Sequence, residues 1–342
     1  MTTDLVVAGG GPAGLATALL AARAGMSVVV REPRPGTLDK ACGEGLMPGA
    51  VAALGHLGVD PPGSPLTGIR YVAGSRAVAA PFRDGAGRGV RRTALSDAFR
   101  AAVDDAGITV EQRPVTEVRS DEQGVTVDGT RASYLVAADG LHSPVRRLVG
   151  LEGPAVSYRR FGQRAHFARA PWTSYVEVHW ADDVEAYVTP VGAELVGVAV
   201  LSSARRPFEQ HLARFPALRA RLVGAEQASR VRGAGPLRQR ATGRVAGRVL
   251  LVGDASGYVD ALTGEGVALA LAQARAAVDA ILAGDPGRYE KEWHTVTRRY
   301  RLLTASLVGA TRLRPVRRAV VPAADRLPRV FSAAVQSLAG QP

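Results

Sequence analysis

An α/β fold is predicted, in which a Rossmann-like βαβ unit is intergrown with an antiparallel β-sheet and closed by C-terminal helices. Three features predict it. An apolar strand at 4–8 runs directly into Gly9-Gly10-Gly11-Pro12-Ala13-Gly14, then a helical stretch at 15–24 and a second strand at 27–31. Apolar or alternating segments at 175–180, 184–189 and 194–201 are separated by Ala181-Asp182-Asp183 and Gly192-Ala193, as hairpin strands are. A long Ala/Leu helix at 267–282 is followed by an arginine-rich amphipathic tail.

In the first unit each glycine has a mechanical reason. Gly9 permits the tight turn, Gly11 lets the backbone approach a pyrophosphate, and Gly14 lets helix and strand pack closely. With Pro12 and Ala13 these residues open a helix whose free amides and positive dipole end favour phosphate. Glu32 ends the second strand 18 residues after Gly14, where an acid receives the hydroxyls of an adenosine ribose. The pattern specifies a dinucleotide and does not choose between NAD and FAD.

Two distant segments make that choice. Ala138-Asp139-Gly140-Leu141-His142-Ser143-Pro144-Val145-Arg146 contains a complete DGxxSxVR motif, and a buried strand at 249–252 ends in Gly253-Asp254. With the glycine turn, in this order, they resemble flavoproteins of the para-hydroxybenzoate hydroxylase fold, over residues 4 to about 283. That superfamily includes aromatic hydroxylases, epoxidases, halogenases and geranylgeranyl-type reductases. The resemblance implies FAD, with Asp254 on the ribityl chain and Asp139 and Gly140 shaping the pyrophosphate region; Arg146 completes the motif. Arg92 opens a helix at 92–105 and resembles the family's RxxL arginine, which lies against FAD; Arg91 is its rival, and Thr93 is the expected N-cap. Gly264-Glu265-Gly266 resembles the turn that lies against the flavin ring, with Ala261 in place of the family's usual proline.

The chain returns to the cofactor unit several times. Residues 1–65, 90–150 and 241–290 are expected to form a discontinuous FAD-binding domain, 66–89 and 151–240 a substrate-binding sheet domain, and 291–342 a helical segment. A hairpin is expected at 68–82 around Ala73-Gly74-Ser75-Arg76, several short strands at 108–137, and one helix at 207–223.

Composition excludes several classes. The net charge is +12, yet all but Lys40 and Lys291 of the 43 basic residues are arginine, and no nucleic-acid-binding motif accompanies them. That skew reads as a compositional habit, and no nucleic-acid partner is expected. A single cysteine favours a reducing, cytoplasmic setting. The apolar N-terminus lacks a basic region, and its glycines belong to the cofactor pattern, so neither a signal peptide nor a transmembrane span is expected. Six scattered histidines offer no metal spacing, and no GxSxG elbow occurs.

Chemistry is therefore expected from FAD, with NADPH or NADH as reductant. Three reactions compete. Halogenation lacks its WxWxIP signature. Lys40-Ala41-Cys42-Gly43-Glu44-Gly45 resembles the KxCGxG segment of geranylgeranyl-type reductases, and Gly264-Glu265-Gly266 their GEG turn. Aromatic hydroxylases often carry asparagine where Ala268 stands. The reductases' YxWxFP segment is poorly matched by Glu185-Ala186-Tyr187-Val188-Thr189-Pro190, which suits a polycyclic or polyketide substrate of secondary metabolism. The favoured expectation is a monooxygenase acting through a flavin hydroperoxide on a hydrophobic small molecule. The alternative is an ene or prenyl reductase, and a non-enzymatic flavin-binding role is a third.

Cys42, Glu44 and Tyr187 are the catalytic candidates. Cys42 reads as a ring neighbour with no histidine beside it in sequence to activate the thiol. Glu44 is either a general acid/base or a loop-capping carboxylate, and Tyr187 a pocket wall or a proton donor. The tail at 306–341 reads either as helices with a solvated basic face or as a docking surface for an acidic carrier protein, a coenzyme-A-linked substrate or an anionic membrane, centred on Arg317, Arg318 and Arg329.

Overall fold

The computed structural model describes residues 3–340; Gln341 and the outermost residues of the two terminal segments, 1–2 and 341–342, lie outside it. Ten helices are described: α1 (Pro12–Arg23), α2 (Pro48–His56), α3 (Arg92–Asp105), α4 (Pro144–Leu148), α5 (Phe208–Leu212), α6 (Pro216–Leu222), α7 (Gly266–Leu282), α8 (Arg288–Ala310), α9 (Arg314–Arg326) and α10 (Pro328–Ala339).

An eight-stranded sheet carries the cofactor motifs. Its order is Val245–Ala246, Val249–Leu251, Thr130–Ala137, Thr3–Ala8, Val28–Arg31 and Thr109–Glu111, with Val125–Val127 and Val118–Ser120 added as an antiparallel extension. The central strands are parallel, and one register line runs Leu250, Val136, Val7, Val30, Val110. Strands buried on both faces need apolar residues at every position, which explains the unbroken runs. Val7, Val136 and Leu250 face α1 and α7, whose Ala16, Ala274 and Ala277 permit close approach. Val6, Leu135 and Leu251 face the opposite layer.

A seven-stranded sheet forms the second half, in the order Arg232–Ala234, Phe161–Ala168, Leu195–Ser202, Val184–Gly192, Tyr175–Trp180, Gly68–Ala73 and Arg76–Pro81. The expected layer is not wholly antiparallel, because the 68–81 hairpin joins it through a parallel pairing of Gly68–Ala73 with Tyr175–Trp180. The expected helix at 207–223 is two helices. Pro216 lacks an N–H and forces Phe215 out of the helical region, to φ −122° and ψ 75°. Helices α9 and α10 pack Val321, Phe331 and Val335 on the hairpin beside Trp180, in an apolar cluster that extends to Met47 and Leu262.

Leu250 is fully buried in the first sheet, three residues before Gly253. Leu250→Ala is expected to lower unfolding stability by about 3 kcal/mol, read from a urea midpoint. A loss under about 1 kcal/mol would show that the sheet is not the principal core.

Candidate active site

The parallel register places the ends of four strands side by side: Ala8 pairs with Arg31 and with Ala137, and Ala137 with Leu251. The next residues are therefore the glycine turn, Glu32, the Asp139 loop and the Gly253-Asp254 loop. Ligands of open α/β sheets bind at such carboxyl ends.

The turn is shaped for a close approach. Gly9 has φ +108°, and a methyl group on it would lie 2.4 Å from the Ala138 carbonyl oxygen. A methyl on Gly14 would lie 1.9 Å from the Gly9 oxygen. One on Gly11 would meet nothing within 4 Å, so the backbone there is open. Pro12 begins α1, no side chain caps it, and Ala13 lies against Gly253. Glu32 is buried, and its Oε2 accepts the Gly10 N–H at 2.8 Å. Burial opposes its ionisation, but hydrogen bonds from Arg34 and Gly10 outweigh it and hold the carboxyl below its ordinary range.

Around the turn, Asp139 accepts the Val145 N–H through Oδ2 at 2.9 Å, while its buried Oδ1 has no partner. Burial pushes this carboxyl up, and does the same to Asp254 against the opposing charges of Lys40, Arg92 and Arg146. Gly140 has φ +89°, with the Lys40 ammonium standing over it. Arg92, not Arg91, is the buried guanidinium, and its Nη1 has no protein partner. Arg146 is fully buried and bonds Glu152 at 2.7 Å, the Ala255 carbonyl at 3.0 Å and the Leu141 carbonyl at 3.2 Å. It ties the two loops together through all three of its nitrogens. Thr93 does not cap α3; Arg91 occupies the N-cap position, and the Arg92 N–H donates to Glu44 instead.

Glu44 is buried with φ +61°, unusual for a residue other than glycine. Its Oε1 accepts the Arg92 N–H at 2.8 Å, and its Oε2 meets His166 Nε2 at 2.7 Å. With both oxygens engaged, Glu44 anchors its loop and has none free for a substrate. Thr189 donates to the Gly43 carbonyl at 2.7 Å, and Arg164 pairs with Asp39. Cys42 is half-buried; burial and then the Glu44 charge push its thiol up, so it is protonated and not a ready nucleophile. Tyr187 donates to the Leu262 carbonyl at 3.0 Å, and burial raises its phenol well above its ordinary value, which makes it a wall.

Facing this loop, Gly264 has φ +73° and lies against Met47. Glu265 occupies the N-cap position of α7 and Gly266 its first turn. Glu265 is buried, its Oε2 has no partner, and burial raises its carboxyl to about 7, against the opposing charge of Arg299.

The orphaned atoms of Arg92, Asp139 and Glu265, with the open turn at Gly11, fit FAD: a phosphate cradle, an acid for ribose, and polar atoms awaiting a ligand. Among the described residues no group of His, Cys, Asp and Glu side chains could hold a metal ion.

Several residues carried no sequence signal. His166, Arg164 and Thr189 lie on strands of the second sheet and reach the Cys42 loop only through tertiary pairing. Arg160, Glu185, Asp260 and Arg317 form a buried ion network, with Glu185 held at 2.8 Å by each arginine. Glu185, a charge in an apolar strand, was the available hint. A cavity of about 330 Å³ shares Asp254 and Gly266 with the cleft and is lined by Arg238, Arg240 and Arg301; the Gly9–Gly14 turn, Glu32 and Arg92 are not in its lining.

The neutral form of Glu265 is favoured in the fold. Its contribution to stability is therefore full below about pH 4.5 and lost as pH rises to about 7. Glu265→Gln should flatten that slope, removing up to about 3 kcal/mol of pH dependence in apoprotein melts; an unchanged slope would refute the assignment.

The region 98–294 matches the family model described as an FAD binding domain. Menaquinone reductase from Mycolicibacterium smegmatis is 32% identical over 86% of this chain and 80% of its own length. Protoasukamycin 4-monooxygenase from Streptomyces nodosus subsp. asukaensis is 29% identical over 85% and 83%. A flavoprotein/dehydrogenase from Cytophaga hutchinsonii superposes with a TM-score of 0.86 at 19% identity, covering 98% of this chain and 92% of that one, and so supports the fold. The chain belongs to the FAD-binding-domain family and is an FAD-dependent oxidoreductase of the para-hydroxybenzoate hydroxylase-like fold.

Proposed function

We propose that this protein reduces a carbon–carbon double bond in a lipid-soluble substrate of the prenyl or quinone type, with NADPH or NADH as reductant. One observation carries the reading: Glu265 Oε2 is buried, unpartnered and titrates near 7, on the turn that lies against the Met47 end of the Cys42 loop. Saturating an alkene requires a proton for every hydride, and an acid poised near neutrality is suited to give it. The 32% identity to a menaquinone reductase agrees with this choice.

Bound FAD would supply the hydride. The open backbone at Gly11 and the start of α1 would hold its phosphates, Glu32 its adenosine ribose, and Arg92 and Asp254 its ribityl end. Lys40 balances the charge of Asp254. Met47, Tyr187 and Leu262 exclude water from the substrate side. Arg238, Arg240 and Arg301 offer cationic contacts for the reductant's phosphates. A second reading, oxygen insertion, is supported by likeness to a monooxygenase.

Turnover of a polyprenyl naphthoquinone under anaerobic conditions separates the two. A product that stays heavier by two hydrogens after its ring is reoxidised to the quinone, and so carries them on the prenyl chain, is expected without oxygen; a product heavier by one oxygen, formed only in air, overturns the reductase reading. Glu265→Gln should retain FAD and lose about 10²-fold in turnover. Cys42→Ser should retain FAD and measurable activity, and complete loss with flavin bound would make the thiol essential.

A further inference from the structure

Helices α8 to α10 carry a surface unlike the rest of the protein. Of the eleven large apolar side chains exposed among the described residues, six are here: Leu302, Leu303, Leu313, Val316, Leu327 and Val330. Leu313, Leu327 and Val330 are each more than half exposed, at 62%, 56% and 63%. On α9 the exposed Val316 and Ala323 and the part-buried Val320 lie at intervals of three and four on one helix face, with the exposed Leu313 and Leu327 at the two ends of the helix. Arg317, Val321 and Ala324 form the buried face. Clustered exposed apolar groups mark a surface that is covered in use.

The charge of the same segment is one-sided. Residues 298–342 contain nine arginines and one carboxylate, Asp325, and so hold most of the protein's excess positive charge. Arg317 is not part of the surface, because it is buried on Glu185, and Arg318 is paired with Asp182. Arg312 lies over the Tyr158 ring. Arg314, Arg326 and Arg329 make no ion pair among the described residues and border the apolar stripe.

We propose that α9, with the adjoining ends of α8 and α10, seats the protein on an anionic lipid bilayer. Leu313, Val316, Leu327 and Val330 enter the headgroup boundary, and Arg314, Arg326 and Arg329 meet lipid phosphates. Amphipathic helices with an apolar face and arginine flanks lie in such interfaces. Charge complementarity specifies the anionic surface, and the apolar stripe distinguishes it from an acidic carrier protein, for which charge alone would serve. The inner sides of α9 and α10 pack into the cluster that reaches Met47 and Leu262, so the seat adjoins the substrate side of the cleft. Among the described residues no helix is long and apolar enough to cross a membrane, so the contact is peripheral. The inference rests on the lipid-soluble substrate proposed above.

The test is co-sedimentation of the FAD-loaded protein with vesicles of phosphatidylcholine alone or mixed with phosphatidylglycerol. Binding is expected on the mixed vesicles, at least tenfold weaker on the neutral ones, and reduced by high salt. The triple variant Leu313→Ser, Leu327→Ser, Val330→Ser should bind at least tenfold less while keeping its FAD content and its turnover of a short-chain, water-soluble quinone. The triple variant Arg314→Gln, Arg326→Gln, Arg329→Gln should lose the preference for anionic vesicles. Equal, weak sedimentation on both vesicle types, or capture by an acidic carrier protein in place of vesicles, overturns the proposal. Vesicle binding without turnover of any quinone would sink the reductase reading and leave the seat standing.

Discussion

Glu44 adopts φ +61° because both of its carboxylate oxygens are claimed from opposite sides. The amide at the start of α3 takes Oε1, and His166 on the second sheet takes Oε2. Arg164 stands 3.6 Å from the same carboxylate and also pairs with Asp39 at the head of the loop. A buried carboxylate is tolerable only when its lone pairs are satisfied and a positive group is near, and Glu44 meets both conditions. Neutral removal of one partner would leave a charge without compensation, which costs more than the lost hydrogen bond. Anchored in this way, the Cys42 loop fixes where Cys42 and Met47 stand and couples the cofactor sheet to the second sheet. The facing turn at Gly264–Gly266 is positioned separately: Arg160 holds Asp260, and Asp260 accepts the Leu262 N–H at 3.1 Å. Two ion networks therefore set the width of the cleft from its two sides.

This division separates the anchored acids from those left free for a ligand. Glu44, Glu185 and Asp260 are buried but engaged with nearby cations. Glu265 differs, since its Oε2 has no partner and its carboxyl lies near neutrality. Proton supply and loop positioning are thus assigned to different carboxylates. A single residue doing both would have to break an anchor each time it moved a proton.

The motifs were legible because their signal is local. The residues after Ala8, Arg31, Ala137 and Leu251 announce themselves by glycine and acid at strand ends, and parallel pairing then aligns them without further information. Arg92 was legible as the opening of a helix, but its N-cap was not, because the capping oxygen comes from Glu44, 48 residues away. Arg146 belongs to the cofactor motif by sequence, and it secures the motif's shape, because Glu152 and the Ala255 and Leu141 carbonyls engage all three of its nitrogens. The break at Pro216 had an unmistakable local signal. The parallel attachment of the 68–81 hairpin had none, since strand order is decided by long-range packing.

The arginine excess divides in the same way. Arg31, Arg146 and Arg164 are among the largest fully buried side chains, and each is tied to carboxylates or carbonyl oxygens. Guanidinium suits that task because it stays charged and offers five donors in a fixed plane, where lysine would be driven to neutrality by burial. Lys40, one of two lysines, shows the contrast: its pKa falls with desolvation and neighbouring arginines, and Asp254 only partly restores it. The interior thus consumes part of the positive composition in pairs that carry no net charge. What remains uncompensated is concentrated after residue 298, beside exposed leucines and valines. A compositional habit alone would scatter that remainder over the surface, so its concentration on three consecutive helices requires a cause local to them.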